Sequence, residues 1–177
     1  MKYLKRIAII VGVMVLLFLA LGLMLPTTYQ VERSVVMRAK PDVVFPHVNT
    51  LKQWPEWTAW NTKKYPDLRF SFDGPESGVG AVYRWEGEAT GTGSLKLTGS
   101  DPAKGIEYNL DFEHGKYLSK GAIKLEETGD STKVTWTNEG DLGSNPINRY
   151  FGLMMDIMLG PDFEEGLNSL RQQVETK

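Results

Sequence analysis

The chain has 177 residues, 24% of them charged, with a formal net charge of -2 and no cysteine. That balance supplies neither a basic surface for nucleic acid nor an acidic tail. The lack of thiols excludes disulfides, thiolate metal sites and a lipidated cysteine anchor.

Residues 7–25 form an unbroken apolar run, with Lys2, Lys5 and Arg6 before it and no basic residue after it until Arg33. About 19 helical residues at roughly 1.5 Å rise span a bilayer's hydrocarbon core. Leu, Ile, Val and Phe each favour insertion by about 0.3–0.6 kcal/mol, so the run predicts one transmembrane helix. The basic flank, residues 1–6, predicts a cytoplasmic N-terminus and a soluble domain on the exported side, periplasmic or extracellular. A cleaved signal has the same start, but its apolar region is about 7–15 residues long and ends at a small-x-small site. Ala20-Leu21-Gly22 is the only candidate for that site, and Leu23-Met24-Leu25 continues the run past it.

Residues 26–28 are a short tether, and an extended residue covers at most about 3.6 Å. The remaining stretch, 29–177, has the size of one domain and sits close to the bilayer. Residues 29–38 alternate polar and apolar and read as a strand. At Ala39-Lys40-Pro41-Asp42 the period changes to helical, with Pro41 suited to a first helical position and Asp42 to the helix start. Pro46 conflicts with that helix, since it removes a donor and crowds the preceding turn, so a short or kinked helix is expected. A further helical turn is expected over 51–57, then a loop through 61–67.

From residue 68 the pattern is strand after strand, cut by Gly and Pro: 69–73, 81–86, 93–100, 106–113, 117–127 and 132–140. Tyr83 with Trp85, Leu95 with Leu97, Ile106 with Tyr108, Leu110 and Phe112, Ile123 with Leu125, and Val134 with Trp136 mark one apolar face. Arg84, Glu86, Lys96, Glu107, Asp111, Lys124, Glu126 and Lys133 mark a wet one. An antiparallel sheet with one wet face needs a cover on the other. Asn145-Pro146 opens that cover, a long C-terminal helix with Ile147, Phe151, Met154 and Met158, then Phe163, Leu167, Leu170 and Val174, at helical spacing. A break near Gly160-Pro161 is expected, with Asp162, Glu164 and Glu165 in the first turn of the second half, where the helix dipole favours anions.

The order of strand, two short helices, six strands and long helix resembles the α+β helix-grip fold of the START-like superfamily, an antiparallel curved sheet wrapped around a long C-terminal helix. The local wording agrees. Val31-Glu32-Arg33-Ser34, Ala39-Lys40-Pro41-Asp42-Val43-Val44-Phe45 and Trp54-Pro55-Glu56-Trp57 resemble the opening of polyketide cyclase/dehydrase and lipid-transport (SRPBCC) proteins. Gly74-Pro75-Glu76 with Gly78-Val79-Gly80, the strand Thr132-Lys133-Val134-Thr135-Trp136, and Gly160-Pro161-Asp162-Phe163 extend the resemblance over the whole domain. Pro46 and His47 depart from the usual apolar helix at that place.

The resemblance implies an apolar cavity between sheet and helix, the default ligand site. Trp54, Trp57 and Trp60 are expected near its mouth, Tyr83, Trp85, Tyr108 and Phe112 on its sheet side, and Phe151, Met154 and Met158 on its helix side. Rings give flat contact area and methionine adapts to varied apolar shapes. Each of these side chains could equally fill a core. His47 and His114 stand apart from any metal-ligand spacing, no Gly-x-Ser-x-Gly elbow occurs, and the glycines at 74, 78 and 80 lack the order of a phosphate loop. No metal or cofactor is expected. The leading expectation is non-enzymatic binding of a hydrophobic small molecule or lipid by a membrane-anchored domain. A polyketide cyclase-like enzyme would use Tyr83, Tyr108 and Arg33 for proton transfer and carbonyl polarisation. A protein interaction module with a filled cavity is the third reading.

Overall fold

The computed structural model describes residues 2–176. Helix α1 (Lys2–Met24) is followed by β1 (Thr28–Met37), α2 (Pro41–Asn49), a 3-10 turn (Leu51–Gln53) and α3 (Trp54–Trp57). Then come β2 (Arg69–Asp73), β3 (Val82–Gly87), β4 (Gly91–Asp101), β5 (Gly105–Phe112), β6 (Tyr117–Thr128), β7 (Ser131–Asp141) and α4 (Pro146–Glu175). The seven strands form one antiparallel sheet in the order β1-β7-β6-β5-β4-β3-β2. Every strand expected from period-two patterning is present, because each alternation buries one face and wets the other.

The concave face carries the core: Val31, Met37, Leu95, Leu97, Ile106, Tyr108, Ile123, Leu125, Val134 and Trp136 are all buried. Val44 and Val48 of α2 close it from above β5, β6 and β7. Pro46 leaves α2 nine residues long, and the indoles of the next turn satisfy its terminal carbonyls: Trp54 Nε1 donates to Val48 O at 2.9 Å and Trp57 Nε1 to His47 O at 3.2 Å. These groups have no partner within the helix, and two tryptophans supply one.

Helix α4 opens as expected, with Asn145 Oδ1 accepting from the Ile147 N–H at 2.9 Å and Pro146 in the first turn. The break expected at Gly160-Pro161 does not occur: α4 is continuous over 30 residues. Pro161 is on the exposed side, and Gly160 is small because Arg33 lies against it; an added Cβ would meet the guanidinium at 2.0 Å. With no helix start there, Asp162, Glu164 and Glu165 act through ion pairs instead. Lys64 Nζ reaches Asp162 at 3.0 Å and Glu165 at 2.9 Å, and Arg33 Nε reaches Glu164 at 2.6 Å. The long helix packs chiefly on β1 at the edge of the concave face, burying Phe163, Leu167, Leu170 and Val174.

Candidate functional site: an open aromatic arc

The rings of the concave face fall into two groups. The first is closed. Trp136, on β7, stacks on Phe163 of α4 at 4.1 Å and 3°, and meets Trp54, Trp57 and Trp60 edge-on at 5.8, 5.3 and 6.1 Å. Its Nε1 donates to the Tyr108 hydroxyl at 2.9 Å, which in turn donates to Thr137 O at 3.4 Å. Burial pushes the Tyr108 phenol up to about 12, against the opposing pull of the Trp136 hydrogen bond. Trp54, Trp57 and Tyr108, expected to line a cavity, here pack on one another, and Trp60 borders them, half-buried.

The second group is open. Strand register puts Phe70 opposite Trp85, Phe72 opposite Tyr83, Trp85 opposite Gly93, Gly93 opposite Phe112, and Phe112 opposite Tyr117, all on one face. Their rings touch in sequence: Phe72–Tyr83 at 5.6 Å, Phe70–Tyr83 at 5.4 Å, Tyr83–Trp85 at 5.8 Å, Trp85–Phe112 at 6.2 Å, Phe112–Tyr117 at 6.5 Å. Only Tyr83 is buried; Phe70, Trp85 and Phe112 are half-buried, and Tyr117 is 52% exposed. The arc thus joins the core at Tyr83 and reaches solvent at Tyr117. Gly93 makes it possible, since a Cβ there would lie 2.2 Å from the Trp85 ring. Trp85 Nε1 is held by Thr90 O at 3.3 Å. Burial raises the Tyr83 phenol well above its usual range, so at neutral pH it stays a hydrogen-bond donor rather than a base.

The arc opens at the end of the sheet where α1 arrives. α1 ends at Met24 and β1 begins at Thr28, and in register Tyr29 lies opposite Gly140, which lies opposite Ser119, two residues from Tyr117. The capped, closed end of the core, under α2 and α3, is at the other end of the strands. On the same row Tyr29 donates to Asn138 Oδ1 at 3.1 Å, and Asn138 Nδ2 donates to Ser119 Oγ at 3.2 Å, giving a small polar patch on the inner wall.

Of the other expected site residues, Arg33 does face the concave side, opposite Trp136. Its guanidinium is engaged: Nη1 and Nη2 meet the Asp156 carboxylate at 2.7 and 3.0 Å while Nε meets Glu164. These hydrogen bonds raise the guanidinium further above its already high range and hold Asp156 below the ordinary carboxylate value. Arg33 therefore clamps α4 to β1. Phe151, Met154 and Met158 are 58%, 50% and 57% exposed, and α4 turns Met155 and Leu159 to the core in their place. Phe70, Phe72 and Tyr117 were not among the expected site residues. Their signal was present as the period-two pair in 69–73 and the ring opening the strand at 117. A depression of about 370 Å³ is lined by Arg69, Arg84, Glu86 and Asp111 together with Phe70 and Trp85 of the arc, so its walls are mixed. Among the described residues no three His, Cys, Asp or Glu side chains come together as a metal site.

Comparison with known proteins agrees with this architecture. The crystal structure of Ara h 8.0201 superposes with TM-score 0.58 at 16% identity, over 85% of this chain and 99% of its own. A Thermobifida fusca protein gives 0.61 at 16% identity, over 82% and 92%. The Zhui aromatase/cyclase from a Streptomyces species gives 0.57 at 17% identity, over 84% and 94%. At these identities the likeness shows a shared fold. No curated protein matches significantly. The family model described as polyketide cyclase / dehydrase and lipid transport matches residues 28–175, which is nearly the entire domain after α1. With its grip-shaped sheet, its long terminal helix and this match, the chain belongs to the polyketide cyclase/dehydrase and lipid-transport family.

Proposed function

We propose that this protein is a membrane-anchored, non-enzymatic binder of a hydrophobic small molecule or lipid, held on the open aromatic arc. The observation that carries this is the arc itself: six contiguous rings, graded from a buried Tyr83 to a half-exposed Tyr117, at the end of the fold next to α1. Contiguous apolar surface of this kind on a soluble domain marks a binding site. Tyr83 as a protonated phenol and the Tyr29–Asn138–Ser119 patch would orient a polar end of the ligand. Trp85, Phe112 and Tyr83 are the contact residues. Trp54, Trp57, Trp60 and Tyr108 form the closed cluster beside the arc, and Phe151, Met154 and Met158 are turned away from it.

The anchor is α1, of which Tyr3–Met24 has mean hydropathy 3.0 over its best window and is almost wholly exposed outside its last turns. Its basic start supports a cytoplasmic N-terminus with the domain on the exported side. The arc then opens toward the bilayer, which favours a membrane-soluble ligand.

The test is native mass spectrometry of the full chain extracted from membranes in mild detergent. Adduct masses corresponding to a lipid or other apolar molecule are expected, and are expected to vanish in a Trp85→Ala/Phe112→Ala variant. An adduct-free protein, or adducts indifferent to that variant, would overturn the proposal. The Zhui neighbour is an aromatase/cyclase, so a cyclase reading remains the competitor. Turnover of a poly-keto substrate that disappears in Tyr83→Phe would establish it.

A further inference from the structure

The first half of α4 extends past the core and presents a face that no other element covers among the described residues. Ile147, Phe151, Leu153, Met154, Ile157 and Met158 are 49% to 74% exposed. A helix face turned to water carries charged residues, yet the two charged residues of this stretch are directed elsewhere. Asp156 is bound by Arg33, and Arg149 Nη1 donates to Leu23 O at 2.7 Å and Leu25 O at 3.3 Å, capping the end of α1.

This half-helix is docked on the apolar span. Tyr150 stacks on Phe18 at 4.2 Å and 7°, and its hydroxyl donates to Phe18 O at 2.6 Å. The approach is close because α1 has Gly22 at the crossing, where a Cβ would be 2.8 Å from both the Pro146 carbonyl and the Tyr150 ring. Phe18 lies about seven residues, or roughly 10 Å of helical rise, before the end of the apolar run. The medium around the last turns of α1 therefore also surrounds Tyr150 and its neighbours. That depth matches the roughly 5–10 Å to which interfacial helices sink their apolar face.

We infer that residues 147–158 are a second membrane contact, with the apolar face of α4 lying in lipid at the margin of the leaflet that α1 reaches with its C-terminal end. The inference rests on α1 being a span. Lipid is the occupant because the face continues the lipid-exposed surface of α1 without a polar boundary. Arg149, bonded to the last carbonyls of α1, then occupies the headgroup level, where snorkelling cations are stable. A single span would leave the domain free to swivel. Two contacts fix its orientation and hold the open end of the arc against the bilayer.

The absence of native cysteine permits single-site spin labels. The full chain carrying Met154→Cys or Ile157→Cys is reconstituted in vesicles of phosphatidylethanolamine and phosphatidylglycerol, with Val13→Cys in α1 and Glu126→Cys on the wet sheet face as references. Labels at 154 and 157 are expected to lose collisions with a water-soluble nickel chelate and keep those with oxygen, as at Val13. Collisions with nickel as frequent as at Glu126, while Val13 stays protected, would overturn the second contact and leave the anchor standing. Nickel access at Val13 would overturn the anchor, and this inference with it. Spin–spin broadening at 154 and 157 would overturn lipid in favour of a second copy of the chain. Both substituted side chains are at least half-exposed, and agreement between the two sites is required.

Discussion

Arg33 shows how one side chain can look chemical in sequence and prove mechanical in the fold. It reaches from β1 to two carboxylates of α4, and Gly160 leaves the space that its guanidinium occupies. Solvent screens exposed pairs of this kind, so Arg33→Met is expected to lower the midpoint of urea titrations only modestly. The pH sign follows from Asp156, whose folded value lies below its ordinary 3.8. Its contribution is complete above that value and is lost as pH falls through the folded one, so the gap between wild type and Arg33→Met should narrow below about pH 4. Gly160→Ala should destabilise the wild type by displacing Arg33. In the Arg33→Met background the same change should stabilise by up to about 1 kcal/mol, the propensity difference between Gly and Ala in a helix. A cycle without that change of sign would separate Gly160 from Arg33.

The two site tyrosines divide in the same way. Tyr108→Phe removes the acceptor of the buried Trp136 N–H and should cost about 1–3 kcal/mol. Tyr83→Phe should change stability little and weaken ligand retention. Both phenols are raised above 10.0 by burial, so their contribution is full below pH 10 and lost as pH rises toward the folded values. Alkaline unfolding curves should fall by up to about 1.4 kcal/mol per pH unit for each tyrosine, and Tyr108→Phe should remove one share of that slope.

At the scale of elements, the sheet was legible because its chemistry is local. Period-two alternation in 69–73, 81–86, 106–113 and 132–140 states which side chains share a face, and the observed register keeps them there. The division of those rings into a filled cluster and an open arc was not legible, because it depends on what lies across the strands. Trp54 and Trp57 are consumed by capping α2, and Trp136 is covered by Phe163 from more than twenty residues later in the chain. Glycine pairing shapes both groups: Trp85 of the arc lies over Gly93, and Tyr108 of the closed cluster over Gly121, in adjacent strands. Gly93→Val should leave far-ultraviolet circular dichroism unchanged while turning Trp85 out of the arc, seen as a red-shifted tryptophan emission and loss of retained ligand. An unshifted spectrum with ligand still bound would place the binding surface elsewhere.

For the whole molecule, the arrangement joins the apolar helix α1, its docking on α4 and the arc at one end. The proposed attachment through 7–25 is hydrophobic, so about 1 M salt, where the Debye length is near 3 Å, should leave the protein in the membrane pellet. Release by salt would indicate binding through charge. With α4 docked on α1 through Phe18, Gly22 and Tyr150, the domain is fixed relative to the span by more than the tether at 26–28.

The sequence by itself determined the apolar N-terminal helix, the strand faces, the opening of α4 at Asn145-Pro146 and the family resemblance, since each is written in periodicity, composition or neighbouring residues. Only the tertiary structure decided that α4 runs unbroken past Pro161, that Arg33 is a clamp, and that Phe70, Phe72 and Tyr117 extend the aromatic arc. Those outcomes depend on contacts between residues distant in the chain, where close packing determines which ring is enclosed and which is left open.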